Sequence, residues 1–100
     1  MRRAARTDAN QEQVVSALRA AGARVLSLAP VGAGVPDLLV GHRGRLLLLE
    51  VKDGAKSPSR RRKTAAQERF FAEWADLPIS LVDGPESALR ALRVLDGARG

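Results

Sequence analysis

Two carboxylates and an ammonium occur in a segment that is otherwise almost entirely apolar. Asp37 lies in GVPDLLVG, and Glu50 and Lys52 lie in LLLLEVKDG. The apolar runs predict two strands of a hairpin, where an uncompensated charge is costly. These charges therefore favour one of two explanations. Either the strand ends lie in water and carry an incidental ion pair, or a bound cation brings the two carboxylates together.

The predicted turn of this hairpin decides which side chains meet. A turn centred on Arg43 and Gly44 pairs Gly41 with Leu46 and, further along, Asp37 with Glu50. Directly opposed residues share a face, with Cβ atoms ~4.5–5.5 Å apart. Lys52, two residues after Glu50, lies on the same side. A register shift of one residue would separate these groups.

The composition narrows the chemistry that such a site could perform. The chain has no cysteine and a single histidine, His42, which excludes thiolate zinc sites, cysteine nucleophiles and multi-histidine metal sites. Carboxylate ligands favour Mg²⁺ or Mn²⁺, which can activate water and stabilise charge on a phosphate oxygen. Lys52 could orient or deprotonate that water or stabilise the transition state. We expect His42 to lie exposed in the turn without a catalytic role.

The net charge of +6 predicts a polyanionic partner. The segment 54–64, GAKSPSRRRKT, carries five positive charges and no acid, and predicts a loop that is either a solvated charge run or a phosphate-binding arm. Its basic residues are Lys56, Arg60, Arg61, Arg62 and Lys63. No apolar run approaches the ~20 residues that span a bilayer. The start lacks a secretory apolar stretch, so we expect a cytoplasmic protein without membrane partners.

A length of 100 residues predicts one α/β domain, with its core at about 8–95 and the basic loop at 53–64. The predicted order is α-β-β-β-α-β-α, forming a mixed sheet covered by helices on both faces. The expected helices run from Thr7 or Asp8 to Ala21, from Thr64 to Asp76, and onward from Gly84-Pro85; the expected strands are 24–28, 37–40, 46–51 and 79–82.

The two charged segments together resemble the signature of PD-(D/E)XK nucleases. Pro36-Asp37 matches its first half, and Glu50-Val51-Lys52 matches its second. Over residues 12–82, roughly, the chain is similar to the small stand-alone VRR-NUC domains, which are related to archaeal Holliday-junction resolvases. The resemblance implies a restriction-endonuclease-like fold and Mg²⁺-dependent phosphodiester hydrolysis. It further implies a homodimer that cuts branched DNA, in a bacterial or phage context.

The resemblance also assigns roles to individual residues. Asp37 and Glu50 match the metal-binding acids, and Lys52 matches the catalytic lysine. The backbone carbonyl of Val51 is a further metal ligand in this interpretation. Glu12 matches an acid on the first helix of these nucleases and is expected in the catalytic and metal site, although an ordinary surface glutamate is the alternative.

Gln67 matches a glutamine on the helix that follows the E-x-K strand, and is expected among the catalytic residues. It shares a helical face with Phe70, Phe71 and Trp74. An amide at the head of an apolar face needs a partner, either a site group or the backbone near the helix start. The three aromatic residues are expected in the core rather than stacked on bases.

The function expected from the sequence is that of a Mg²⁺-dependent endonuclease acting on branched or Holliday-junction DNA. The basic run departs from the family pattern and leaves the substrate preference open. The alternatives are a nuclease of nicking, flap or restriction type, and a non-catalytic basic DNA-binding protein.

Overall fold

A mixed four-stranded sheet forms the centre of the fold. The structure, a computed structural model, describes residues 9–53 and 63–97. Its strands, in the spatial order β1-β2-β3-β4, are β1 (Arg24–Ser27), β2 (Leu38–His42), β3 (Arg45–Val51) and β4 (Ile79–Val82). The first three pair antiparallel and β4 pairs parallel with β3. The helices are α1 (Ala9–Ala20), α2 (Ala65–Glu73) and α3 (Pro85–Gly97), and a short 3₁₀ helix covers Ala29–Val31. The predicted small α/β domain with a mixed sheet is therefore confirmed.

The hairpin of β2 and β3 has the register expected from the sequence. A two-residue turn at Arg43 and Gly44 joins the strands, and both residues have positive φ (52° and 79°), as this type of tight hairpin turn requires. The last pair at the other end is Leu38 with Leu49. One further step along both chains aligns Asp37 with Glu50.

One face of the sheet carries the hydrophobic core. Alternate residues of β2 and β3 point to this face, where α1 and α3 pack against them and against each other. The buried apolar residues are Val14, Leu18, Ala23, Leu38, Val40, Leu47, Leu49, Val82, Ala88, Leu92 and Leu95. Full burial stabilises a leucine by ~2 kcal/mol relative to exposure, so this face supplies most of the hydrophobic stabilisation.

The opposite face is only partly covered, by α2. Phe70 of α2 and Trp74, which follows the helix, stack with ring centroids 4.9 Å apart and line an apolar cavity of about 470 Å³ with Leu39, Leu46 and Leu48. Phe70 and Phe71 are half-buried, whereas Trp74 is exposed. The prediction that the aromatic residues belong to the core is therefore wrong for Trp74, because this short helix covers too little of the face. Large apolar side chains that remain exposed in the described residues are Leu26, Val31, Leu46, Trp74, Leu77, Leu81 and Val94.

His42 also differs from its prediction. Its side chain is only 11% exposed, and its Nδ1 lies 2.8 Å from Asp96 Oδ1 of α3. The expected exposure was wrong because His42 points toward the face that α3 covers, rather than away from the turn.

Within the described ranges, no α-helix is long and apolar enough to span a membrane.

The loop between β1 and β2 lies directly against the start of α2. A Cβ placed on Gly34 would lie 2.5 Å from the carbonyl oxygen of Ala66. Only glycine permits this approach, and it also suits the φ of 82°. The contact fixes the first turn of α2 relative to Asp37, three residues after Gly34.

We expect Gly34→Ala to destabilise the protein more than Gly44→Ala. Both positions have a similar positive φ, 82° and 79°, so both variants carry the ~1 kcal/mol strain of a left-handed alanine. A Cβ at Gly44 meets no atom within 4 Å, whereas that of Gly34 adds an overpacking cost of about 1–3 kcal/mol. Urea unfolding measures the difference; equal losses would show that α2 is free to move away from this loop.

Candidate functional site

Glu50, on β3, is a buried charged residue with incomplete hydrogen bonding. It is 3% exposed. Its Oε2 accepts a hydrogen bond from Gln67 Nε2 at 2.8 Å and lies 3.4 Å from Lys52 Nζ. Its Oε1 is buried and has no hydrogen-bond partner. A buried acceptor without a partner costs ~1–3 kcal/mol, so this atom requires a physical explanation.

Asp37 lies beside Glu50 and is held by the neighbouring strands. Its Oδ2 accepts a hydrogen bond of 2.8 Å from the backbone amide of Val51, and its carbonyl accepts one of 2.8 Å from Leu28. The side chain therefore bridges from the start of β2 to the end of β3. The predicted register brings the two acids together as expected.

Lys52 is positioned through both its backbone and its side chain. Its amide donates to the carbonyl of Val82 in β4 at 2.8 Å, and its carbonyl accepts from Asn10 Nδ2 of α1 at 3.3 Å. Its Nζ donates to Gln67 Oε1 at 3.0 Å. Sequence reasoning missed Asn10, because no local pattern links two positions that are 42 residues apart.

Gln67 connects α2 to the acids and the lysine. It closes a capping box with Thr64. The backbone amide of Gln67 donates to Thr64 Oγ1 at 3.2 Å, and its side-chain Oε1 accepts from the backbone amide of Thr64 at 2.9 Å. The same side chain contacts Glu50 and Lys52. Both partners considered for Gln67, a site group and the nearby backbone, are therefore present. The supporting role of Thr64 was missed, although the spacing T-x-x-Q is itself a capping-box signal.

Burial is the largest cause of the shift in the pKa of Glu50. Desolvation, followed by repulsion from Asp37, raises the pKa of Glu50 from its ordinary value of 4.5 to about 7, while Lys52 opposes the shift. One ammonium thus compensates two adjacent carboxylates incompletely. A hard cation would relieve the repulsion and give Oε1 a partner, so the donor set fits Mg²⁺ or Mn²⁺.

The number of acids at this site is two. No group of three or more histidine or acidic side chains suited to a metal occurs among residues 9–53 and 63–97. Mg²⁺ commonly binds through one or two carboxylates and retains several waters, so two acids suffice. The carbonyl of Val51 stays a predicted ligand.

Other predicted site residues are not part of this group. Glu12 is exposed on α1 and lines a separate cavity with Arg19 and Ser27; the structure does not bring it together with Asp37 and Glu50. Lys63 Nζ lies 4.0 Å from the ring centroid of Phe71, a cation–π contact. The predicted phosphate-binding residues Lys56, Arg60, Arg61 and Arg62 lie outside the described residues.

Comparison of the chain with known proteins identifies no relative. No protein-family model, curated protein or solved structure matches the chain.

We expect Glu50→Gln to stabilise the metal-free protein increasingly as pH rises. A raised pKa means that the folded wild type holds its proton more tightly than the unfolded chain. The associated stability is intact below pH 4.5 and is lost as pH rises through about 7. The variant lacks this loss, which is on the order of 3 kcal/mol. Mg²⁺ should raise the melting temperature of the wild type and of Glu12→Gln, but not of Glu50→Gln; thermal unfolding with and without metal measures both effects. A metal response that survives in Glu50→Gln would contradict the assignment.

We expect Gln67→Leu to destabilise the protein more than Thr64→Val. Loss of the Thr64 hydroxyl removes a cap worth ~1 kcal/mol, but leaves Gln67 able to contact Glu50. The leucine keeps the Thr64 hydroxyl cap but removes the side-chain acceptor of the Thr64 amide. It also removes one hydrogen-bond partner each from Glu50 and Lys52, for a total of about 2–4 kcal/mol. Urea unfolding compares the two variants. Equal losses would mean that Gln67 serves the helix start alone.

Proposed function

We propose that this protein is a Mg²⁺-dependent DNA endonuclease of the PD-(D/E)XK superfamily, similar to VRR-NUC domains, with a restriction-endonuclease-like fold. The observation that carries the proposal is the buried Glu50 carboxylate. It has one unpartnered oxygen, an acid neighbour in Asp37 and a lysine at 3.4 Å. An ordinary ion pair at a strand end would be solvated, and its acid would not be 3% exposed.

The proposed reaction is hydrolysis of a phosphodiester. Asp37 and Glu50, with the Val51 carbonyl, hold Mg²⁺ or Mn²⁺, which when bound acts as a Lewis acid toward a phosphate oxygen. Water attacks phosphorus, one P–O ester bond breaks, and a phosphate monoester and a hydroxyl result. Lys52 stabilises the charge that develops on the phosphate oxygens, because Gln67 Oε1 and Glu50 Oε2 hold its ammonium at the acid pair.

The proposed substrate is branched DNA. The net charge of +6 suits a polyanion, and Lys63 with the predicted basic residues 56 and 60–62 would contact phosphates without reading sequence.

We propose a homodimer, because several large apolar side chains are exposed on this small domain and two sites can cut two strands symmetrically. Light scattering of the purified protein checks the dimer.

We expect Lys52→Ala to lower the single-turnover cleavage rate at saturating protein by about 10²–10⁴-fold, with DNA affinity changed only a few-fold. Lys63→Ala is the matched control: it also removes one lysine, but contacts Phe71 rather than Glu50. It should weaken binding while retaining the saturated rate. Cleavage of end-labelled DNA with Mg²⁺, beside a filter-binding titration, separates the two effects.

The same assay on four-way junction, flap, linear duplex and single strand tests the substrate. Equal rates on linear duplex and junction would remove the junction preference and favour a nuclease of another type. Binding without Mg²⁺- or Mn²⁺-dependent cleavage of any of these DNAs would leave only the non-catalytic DNA-binding alternative.

A further inference from the structure

A positively charged cavity lies at the turn end of the β2–β3 hairpin, away from the acid pair. Its volume is about 510 Å³. Three arginines line it: Arg24 at the start of β1, Arg43 in the turn and Arg45 at the start of β3. No carboxylate is among its lining residues in the described part of the chain. The cavity therefore concentrates positive charge without local compensation.

The turn leaves room for a ligand among these arginines. Gly22, Gly41 and Gly44 line the cavity without side chains. His42 also lines it, but its Nδ1 is engaged by Asp96 at 2.8 Å. Asp96 is thus paired with His42, and the guanidinium groups of the arginines are able to bind another anion.

The backbone of Arg43 is a second, independent observation. Its φ of 52° lies in the left-handed region, where asparagine, aspartate or glycine is the usual residue of a hairpin turn. Arginine there costs on the order of 1 kcal/mol. Strain of this kind at an exposed, charged side chain indicates a role for the side chain itself.

The arginines lie within one duplex contact of the acid pair. Arg43 lies six residues from Asp37 along an extended chain, which is ~20 Å at ~3.4 Å per residue. One turn of B-DNA extends ~34–36 Å along its axis. A duplex with its cleaved phosphate at the acids therefore extends past the turn, where phosphates of either strand that face the protein can meet the arginines.

We propose that Arg24, Arg43 and Arg45 form a second phosphate-binding site, which holds a DNA arm ~20 Å from the cleaved bond. This inference rests on the proposed nuclease function and extends it. Guanidinium groups bind phosphate oxygens bidentately, so the site adds affinity and fixes the direction of the arm. It adds no sequence preference.

The test uses the full protein with Arg43→Asn, which removes the charge and suits the turn, so that folding is not compromised. Arg93→Gln is the control, since it removes one exposed charge from α3. Affinity for junction DNA is measured over a range of salt concentrations without divalent metal. The slope of log K against log salt should become shallower by ~0.9 for Arg43→Asn, and by ~2–3 when Arg24→Gln and Arg45→Gln are added. Arg93→Gln should leave it unchanged.

Once the cleaved bond is mapped, single neutral methylphosphonates are placed in turn on both strands within ~10 base pairs of it. At least one position should weaken binding of the wild type and not of Arg43→Asn. The cleavage rate at saturating protein should be the same in both. Cleavage by the wild type with equal salt slopes for Arg43→Asn and Arg93→Gln overturns the second site and leaves the nuclease standing. A changed slope for Arg43→Asn in a protein that cleaves no DNA refutes the nuclease and still supports a phosphate contact at the turn.

Discussion

The buried carboxylate of Glu50 is the constraint on which the rest of the site depends. Burial favours the neutral acid, and the nearby Asp37 favours it further. The ammonium of Lys52 opposes this tendency, and the side-chain amide of Gln67 donates a hydrogen bond to Oε2. The balance leaves the acid on the border between its charged and neutral forms. That condition is costly in a resting protein and useful where a cation is to be bound.

The surrounding fold determines where this acid can lie. Glu50 belongs to β3, an inner strand that pairs antiparallel with β2 and parallel with β4. Both neighbours are tied to the site, since β2 follows Asp37 and β4 accepts the amide of Lys52. The helices α1 and α3 pack on the other face, so the acids lie on the face that α2 partly covers. The core thus holds the strands rigidly while the site is completed by one short helix.

The sequence predicted the hairpin and its acids more accurately than it predicted the helix opposite them. The Arg43-Gly44 turn and the apolar alternation are local signals, and together they determine which residues face each other. The exposure of Trp74 and the burial of His42 depend on how far distant helices reach, which local periodicity does not record. Asn10 and Thr64 contribute through contacts with the backbone, and their residue types are common at helix starts for reasons unrelated to any site. The role predicted for Glu12 came from its position on the first helix alone, and no local pattern relates that helix to the acids.

The bonds of Gln67 also bear on the connection between β3 and α2. That connection begins just after Lys52 and ends at Thr64, and Gln67 Oε1 bonds a donor at each end, 3.0 Å from Lys52 Nζ and 2.9 Å from the amide of Thr64. The ends of the loop are therefore closed independently of what lies between them. Extending a loop whose ends are already held costs only ~0.6 kcal/mol for each doubling of its length. The connecting segment can consequently lengthen, shorten or change its charge with little effect on the position of the two acids.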